Sequence, residues 1–240
     1  MIYILLCFNL ITCINLLLII KLIKGSVYMT TIYLLRHSES IGLNNLIIND
    51  ENNDQLINEK LPLSPEGEEK ARILSNNKEL KNIDVVFCSE YERAISTAKY
   101  IAINNNLKLI ISKSINERKI GNAKEYPKSF WITQFEDQNA KAPNGESRKE
   151  VSERFITFIN KTLEQYKGKR IVLVSHGTAI TFLLMNWCEL VNVELETKIR
   201  HLTYNGKDVI NDNIKFLELF KLSFDDENNI INIELIKNEI

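Results

Sequence analysis

Residues 31–37 read Thr-Ile-Tyr-Leu-Leu-Arg-His, and residues 170–176 read Arg-Ile-Val-Leu-Val-Ser-His. Each is a short, β-rich apolar run without polar alternation, as expected of a strand buried on both faces of a parallel sheet, and each stops at a histidine. Asp84–Cys88 (DVVFC) and Leu107–Ile111 read as two more strands of this kind. Helices fall between them. Ser64-Pro65-Glu66 supplies a capping hydroxyl, an N1 proline and a first-turn acid to a helix running to about Asn77. Glu92–Ile103 follows the second strand. Ser147-x-x-Glu150 is a capping box, and Val151, Phe155, Phe158, Ile159 and Leu163 after it recur on one helical face. Ala179–Leu190 reads as the helix behind the second histidine. The Asn-rich stretch Gly42–Pro62 reads as a long surface loop. Ile214–Leu222 and Ile230–Ile236, around the polar turn Asp225–Asn229, read as two last strands paired as a hairpin. This alternation predicts an α/β fold over residues 29–240: a single three-layer α/β/α domain with a mostly parallel sheet, whose ligands sit beyond the carboxyl ends of the strands.

Composition narrows the function classes. Thirty Lys and Arg against thirty-one Asp and Glu leave a net charge of −1, so no global field favours nucleic acid, and any anion site must be local. Cys7, Cys13, Cys88 and Cys188 are too scattered for a disulfide framework or a zinc knuckle; Cys88 and Cys188 are expected to pack as small apolar residues in a reducing, cytoplasmic setting. No His/Asp/Cys cluster at ligand spacing calls for a metal, and nothing calls for a cofactor.

Residues 1–20, MIYILLCFNLITCINLLLII, carry no charge and are interrupted only by Asn9, Thr12 and Asn15. Their length suits a bilayer, which takes roughly 20 apolar residues. Lys21 and Lys24 follow the run, so an inserted segment would keep the rest of the chain on the cytoplasmic side. Residues 1–28 are therefore read either as a hydrophobic leader that anchors the chain to a membrane or as an upstream extension of the start at Met29.

The chain has three histidines, and two of them, His37 and His176, stand just past a buried strand. Arg36 precedes His37, and Arg93 lies at the start of the helix after the second strand. Two guanidinium groups, each with five fixed donors and a permanent charge, next to two imidazoles make a site for a doubly charged oxyanion such as a phosphoryl group.

Leu35-Arg36-His37-Ser38-Glu39-Ser40 resembles the Arg-His-Gly-Glu-Thr/Ser signature of the histidine phosphatase superfamily, the phosphoglycerate-mutase-like proteins. Leu63-Ser64-Pro65-Glu66-Gly67, Ser89-x-x-x-Arg93-Ala94-x-x-Thr97-Ala98, Asn116-Glu117-Arg118-x-x-Gly121, Pro143-x-Gly145-Glu146-Ser147 and Val174-Ser175-His176-Gly177 resemble further family motifs in the family's order. The resemblance implies a metal-independent phosphoric monoester hydrolase of the broad phosphatase branch. His37 would be the nucleophile that becomes a phosphohistidine, Glu117 the general acid, and Arg36, Arg93 and a cationic His176 the groups around the phosphoryl oxygens. Ser40 and Asn44 would be further phosphate contacts. The partner implied is a small phosphorylated substrate, with a membrane added if residues 1–20 anchor the chain. Two alternatives stay open: a 2,3-bisphosphoglycerate-dependent phosphoglycerate mutase, and a membrane-tethered, non-catalytic phosphoester-binding protein. Against the mutase, only 29 positions separate Glu117 from Glu146, where mutases as a class carry a longer insertion. Ser38 stands where the family has glycine, which matters if the backbone there needs a positive φ. His201 matches no motif and is expected to be structural or exposed.

Overall fold

The computed structural model describes residues 29–42, 54–122 and 129–237; the apolar leader and Asn44 lie outside these residues. Among the described residues no helix is long and apolar enough to cross a membrane. The strands are β1 (Thr30–Arg36), β2 (Val85–Cys88), β3 (Leu109–Ile111), β4 (Arg170–Ser175), β5 (Glu189–Val193), β6 (Arg200–Tyr204), β7 (Lys207–Ile210), β8 (Leu219–Phe224) and β9 (Ile230–Ile236). The helices are α1 (Asp54–Lys60), α2 (Pro65–Leu74), α3 (Glu92–Asn104), α4 (Phe130–Glu136), α5 (Arg148–Gln165) and α6 (Gly177–Leu184).

The main sheet has the order β3-β2-β4-β1-β8-β9. The three pairings among β3, β2, β4 and β1 are parallel, while β8 runs antiparallel to β1 and β9 antiparallel to β8. The sheet is therefore mixed, not mostly parallel as the sequence predicts. The chain enters β8 from a tight turn at the carboxyl end of β1, where Leu217 N–H donates to Arg36 O at 3.2 Å, so β8 has to run back along β1. The Asp225 carboxylate accepts from the Glu227 and Asn229 amides and folds the next turn, so β9 returns beside β8 as the expected hairpin.

Both faces of the sheet are covered. Ile32 and Leu34 of β1 join Val151, Phe155, Ile159 and Leu163 of α5 and Ile180 and Leu183 of α6. Tyr33 and Leu35 point the other way, to Leu74 of α2 and Ala94, Ala98 and Ile101 of α3. Each of the large side chains among them contributes roughly 1.5–3 kcal/mol through burial. The helix ends follow from their caps: Ser64 Oγ accepts from Gly67 N–H, and Ser147 with Glu150 forms a complete capping box.

Four local expectations fail. The loop read over Gly42–Pro62 contains helix α1, which stops just before Pro62. The helix read over Ala179–Leu190 ends at Leu184, because Asn186 and Trp187 close tighter backbone bonds to Leu183 and Leu184 and the Asn186 amide donates to the Leu183 carbonyl. Beyond that point the chain forms a separate antiparallel sheet, β5-β6-β7, with Glu189, Asn192 and Val191 exposed on β5. Finally, β3 shortens to an edge strand whose Ile110 and Ile111 stay exposed, and β8 begins at Leu219 instead of Ile214.

Candidate active site

Parallel strands β1, β4 and β2 end side by side, and each releases a polar residue there. His37 N–H donates to Ser175 O at 2.9 Å, which ties the end of β1 to the end of β4. His176 follows β4 as the N-cap residue of α6, and Arg93 is the second residue of α3 after β2. The imidazoles of His37 and His176 lie with ring centroids 4.9 Å apart. The four residues that the sequence places around a phosphoryl group are thus brought together by topology.

The His37 tautomer is set by its neighbours. Its Nδ1 lies 2.6 Å from Ser38 O, and a carbonyl can only accept, so Nδ1 carries the proton. Nε2 then holds a free lone pair, which accepts from Arg93 Nε–H at 3.0 Å. Burial, then the Arg93 and Arg36 charges, push His37 well below its ordinary value, outweighing the Ser38 carbonyl that favours the cation. A neutral ring with its far nitrogen tied down is what a nucleophilic imidazole requires. Ser38 meets its place without a positive φ: its N–H donates to Thr97 Oγ1 and its hydroxyl to Gly67 O. Gly67 is needed for that docking, since a Cβ there would lie 2.0 Å from Glu39 O.

His176 is fully buried between His37 and Tyr91 and is not part of the cavity wall. Its Nε2 contacts Ser89 Oγ at 2.6 Å, while its Nδ1 is buried without a hydrogen-bond partner. Burial, His37, and the Arg93, Arg36 and Arg154 charges hold this ring well below its ordinary value. The protein's own charges therefore oppose the cationic His176 that the resemblance implies; a phosphoryl dianion would have to supply the missing stabilisation. Arg36 Nε is likewise buried without a partner, beside Gly177, where even a Cβ would stand only 3.6 Å away. An oxyanion seated against His37 would give such orphaned donors an acceptor.

Glu117 is held by three backbone donors, Arg118 N–H, Thr178 N–H and Ala179 N–H, the last two at the start of α6. Arg154 of α5, which no motif singles out, clamps the segment leading to it. Its guanidinium donates to Ser114 O, Asn116 O and Glu117 O and forms a two-point contact with Glu146. Burial alone would raise the Glu146 carboxyl, but Arg154 and the Lys119 amide outweigh it and hold the carboxyl below its ordinary value. Gly121 (φ +69°) and Gly145 let the two segments meet: a Cβ on Gly121 would lie 2.4 Å from Gly145 N, and one on Gly145 2.6 Å from Ile120 O.

Arg36, His37, Ser40, Arg93 and Glu117 share the wall of a cavity of about 340 Å³, within the size range of small-molecule sites. The wall adds residues that sequence did not mark, Asn58, Leu61, Trp131, Gln134 and Phe216, and takes in Arg118 of the Asn116-Glu117-Arg118 motif. The Phe216 ring lies 4.1 Å from the Arg36 guanidinium carbon and 5.6 Å from the His37 ring. It sits on the turn before β8, where Leu217 adopts φ 62°, a strained conformation for a bulky residue. Arg93 is also tied to the carbonyl of Asn58, which brings α1 over the site. Away from the cavity, His201 pairs with Asp208 at 2.8 Å, a structural role, and Cys88 and Cys188 are buried with burial pushing each thiol up to about 12. Among the described residues no group of three or more His, Cys, Asp and Glu side chains could hold a metal ion.

Residues 32–207 match the family model described as histidine phosphatase superfamily (branch 1). The chain is 28% identical over 158 residues to the uncharacterized phosphatase PhoE of Bacillus subtilis, covering 65% of this chain and 76% of that protein. It is 28% identical over 148 residues to a phosphoglycerate mutase of Schizosaccharomyces pombe, covering 52% of this chain and 70% of that protein. Among solved structures, a mycobacterial glucosyl-3-phosphoglycerate phosphatase superposes with a TM-score of 0.60 over 86% of this chain and 97% of that one, at 16% identity, a likeness of fold.

Proposed function

Because the chain belongs to branch 1 of the histidine phosphatase superfamily, we propose that it is a phosphomonoester hydrolase acting through a phosphohistidine on a small phosphorylated metabolite. The observation that carries this reading is the neutral His37 ring, with Nδ1–H bound to Ser38 O and the Nε2 lone pair directed at Arg93 between two cationic groups. In the first step the Nε2 lone pair forms a bond to phosphorus as the ester P–O bond breaks, and protonated Glu117 gives its proton to the departing oxygen. The Arg93 Nε–H, released from Nε2, turns to a phosphoryl oxygen, and Arg36 binds another, so charge in the transition state meets donors already in place. In the second step water attacks phosphorus, its proton passes to the Glu117 carboxylate, and the P–N bond breaks to release inorganic phosphate and regenerate His37. Guanidinium groups supply the charge neutralisation, so the mechanism calls for no metal. Ser40, in the same wall, is a further candidate for a phosphoryl contact.

Mutase turnover is the second reading, favoured by Arg118 standing beside Glu117 in the cavity wall. Tethering to a membrane rests on residues 1–20 alone. The test is direct: phenyl phosphate should be hydrolysed in the presence of a chelator, with the rate lost in His37→Ala. Turnover abolished by the chelator would contradict the metal-free mechanism.

A further inference from the structure

Phe216 is an aromatic side chain left outside the core. It is 41% exposed and lines the cavity beside the nucleophile. The turn that carries it is fastened to a single residue on both flanks: Ile214 O accepts from the Arg36 guanidinium, and Leu217 N–H donates to Arg36 O. Lys215 N–H donates to the Glu218 carboxylate and Glu218 N–H to Lys215 O, which closes the turn. Within it Leu217 holds φ 62°, a conformation disfavoured for a bulky residue. The result of that strain is a division of labour between neighbours. Leu217 enters the core beside Leu219, and Phe216 is turned out over the site, with its ring centre 4.1 Å from the Arg36 guanidinium carbon. Burial does not account for the ring.

Arg36 has little else to hold it. Nη1 goes to the Ile214 carbonyl, Nε is buried without a partner, and Glu117 and Glu218 attract the charge without forming an ion pair with it among the described residues. Gly177 leaves room for the guanidinium at the start of α6, where a Cβ would stand 3.6 Å from Nε and 3.7 Å from the guanidinium carbon. A long side chain fixed by one carbonyl can swivel about that bond; an aromatic face, whose quadrupole attracts the cation, removes the freedom. Resting on the phosphoester reading above, we propose that Phe216 is a positioning residue for the reaction: its ring holds the plane of the Arg36 guanidinium between the Ile214 carbonyl and Gly177, so that the donors left over face the phosphoryl group on His37. Phe216 takes no part in bond breaking and acts through Arg36.

A ring on a cavity wall could instead touch the leaving group of the substrate, and a probe without a leaving group separates the two. Orthovanadate, which mimics the phosphoryl group in transfer, is titrated calorimetrically into the full chain and its variants. Phe216→Ala should weaken vanadate binding about 3- to 30-fold, the range of a cation–π contact at a partly desolvated site. Phe216→Tyr, which keeps the ring, should retain most of the affinity. In an Arg36→Met background Phe216→Ala should cause no further loss, because a residue that acts through Arg36 has no effect once Arg36 is gone. Phe216→Leu keeps apolar bulk and loses the aromatic face; it stands in, with the same loss expected, if Phe216→Ala no longer melts cooperatively. Unchanged vanadate affinity in Phe216→Ala, an equal loss in Phe216→Tyr, or the full loss in the Arg36→Met background would overturn the proposal. The first of these, joined to a raised KM for phenyl phosphate, would make the ring a leaving-group contact. No vanadate binding by the unmutated chain would overturn the proposal as well. Failure of the phosphohydrolase reading shows separately, as an unmutated protein that binds vanadate and hydrolyses no phosphomonoester.

Discussion

Arg154→Met separates the positioning of Glu117 from the rest of the machinery. The substitution removes the contacts to three carbonyls and to Glu146, a pair in which each side chain is only 21% exposed. Breaking a buried pair by removing one partner costs about 3–5 kcal/mol, and the partial exposure here brings the expectation to about 2–4 kcal/mol of stability. Glu146 sits below its ordinary carboxylate value, so its contribution is present at neutral pH and is lost as pH falls through that depressed folded-state value. The gap in stability between the two proteins should therefore narrow on acidification. Catalysis should change in a leaving-group-dependent way. General acid catalysis is worth about 10²–10⁴-fold, and it matters most when the departing oxygen is strongly basic. With Glu117 displaced, kcat/KM for an alkyl phosphate should fall about 100-fold, and for p-nitrophenyl phosphate, whose leaving group needs little help, less than about 10-fold. Steady-state kinetics on both substrates, with urea melts at two pH values, read out the whole expectation. An equal loss on the two substrates would refute the view that Arg154 acts through Glu117.

Two further outcomes rest on the geometry. His37 and His176 are both held neutral in the folded protein, whereas both charge in the unfolded chain near the ordinary histidine value of about 6.5. Their folded values are lowered, so stability is intact above that pH and declines as pH falls below it, by up to about 1.4 kcal/mol per pH unit for each ring. Melts of His37→Gln between pH 7 and 5 should show the shallower slope; identical slopes would mean that His37 is not held neutral. Gly67→Ala puts a Cβ 2.0 Å from Glu39 O and pushes α2 off the segment that carries His37. A loss of about 1–3 kcal/mol in urea unfolding, with reduced turnover, is expected, and an unchanged midpoint would contradict the close docking.

The central architecture was legible because its determinants are local. TIYLL and RIVLVS have no polar alternation, the capping residues Ser64 and Ser147 mark helix starts, and the two histidines fall where strands end. The features that sequence missed depend on distant neighbours. The direction of β8 is decided by the turn at Leu217 meeting Arg36, a contact 181 positions apart along the chain. The β5-β6-β7 sheet has an exposed, weakly alternating first strand that reads equally well as the tail of a helix. Arg154 looks like a surface charge in sequence, since nothing in its spacing distinguishes a buried guanidinium from a solvated one, and Arg118 was visible only as a motif position. Gly121 and Gly145 were visible as motif positions, but the reason for them, two backbones meeting in front of Glu117, needed the structure. Phe216 carried no signal beyond an aromatic residue near the last strands.

The central claim is that His37 carries the phosphoryl group between substrate and water. Brief exposure of the protein to ³²P-labelled phenyl phosphate, an alkaline quench and peptide mapping test it most directly. The account predicts acid-labile, base-stable label on the peptide containing His37, absent from His37→Ala. Label on a serine, aspartate or cysteine, or rapid turnover with no label on His37, would contradict it.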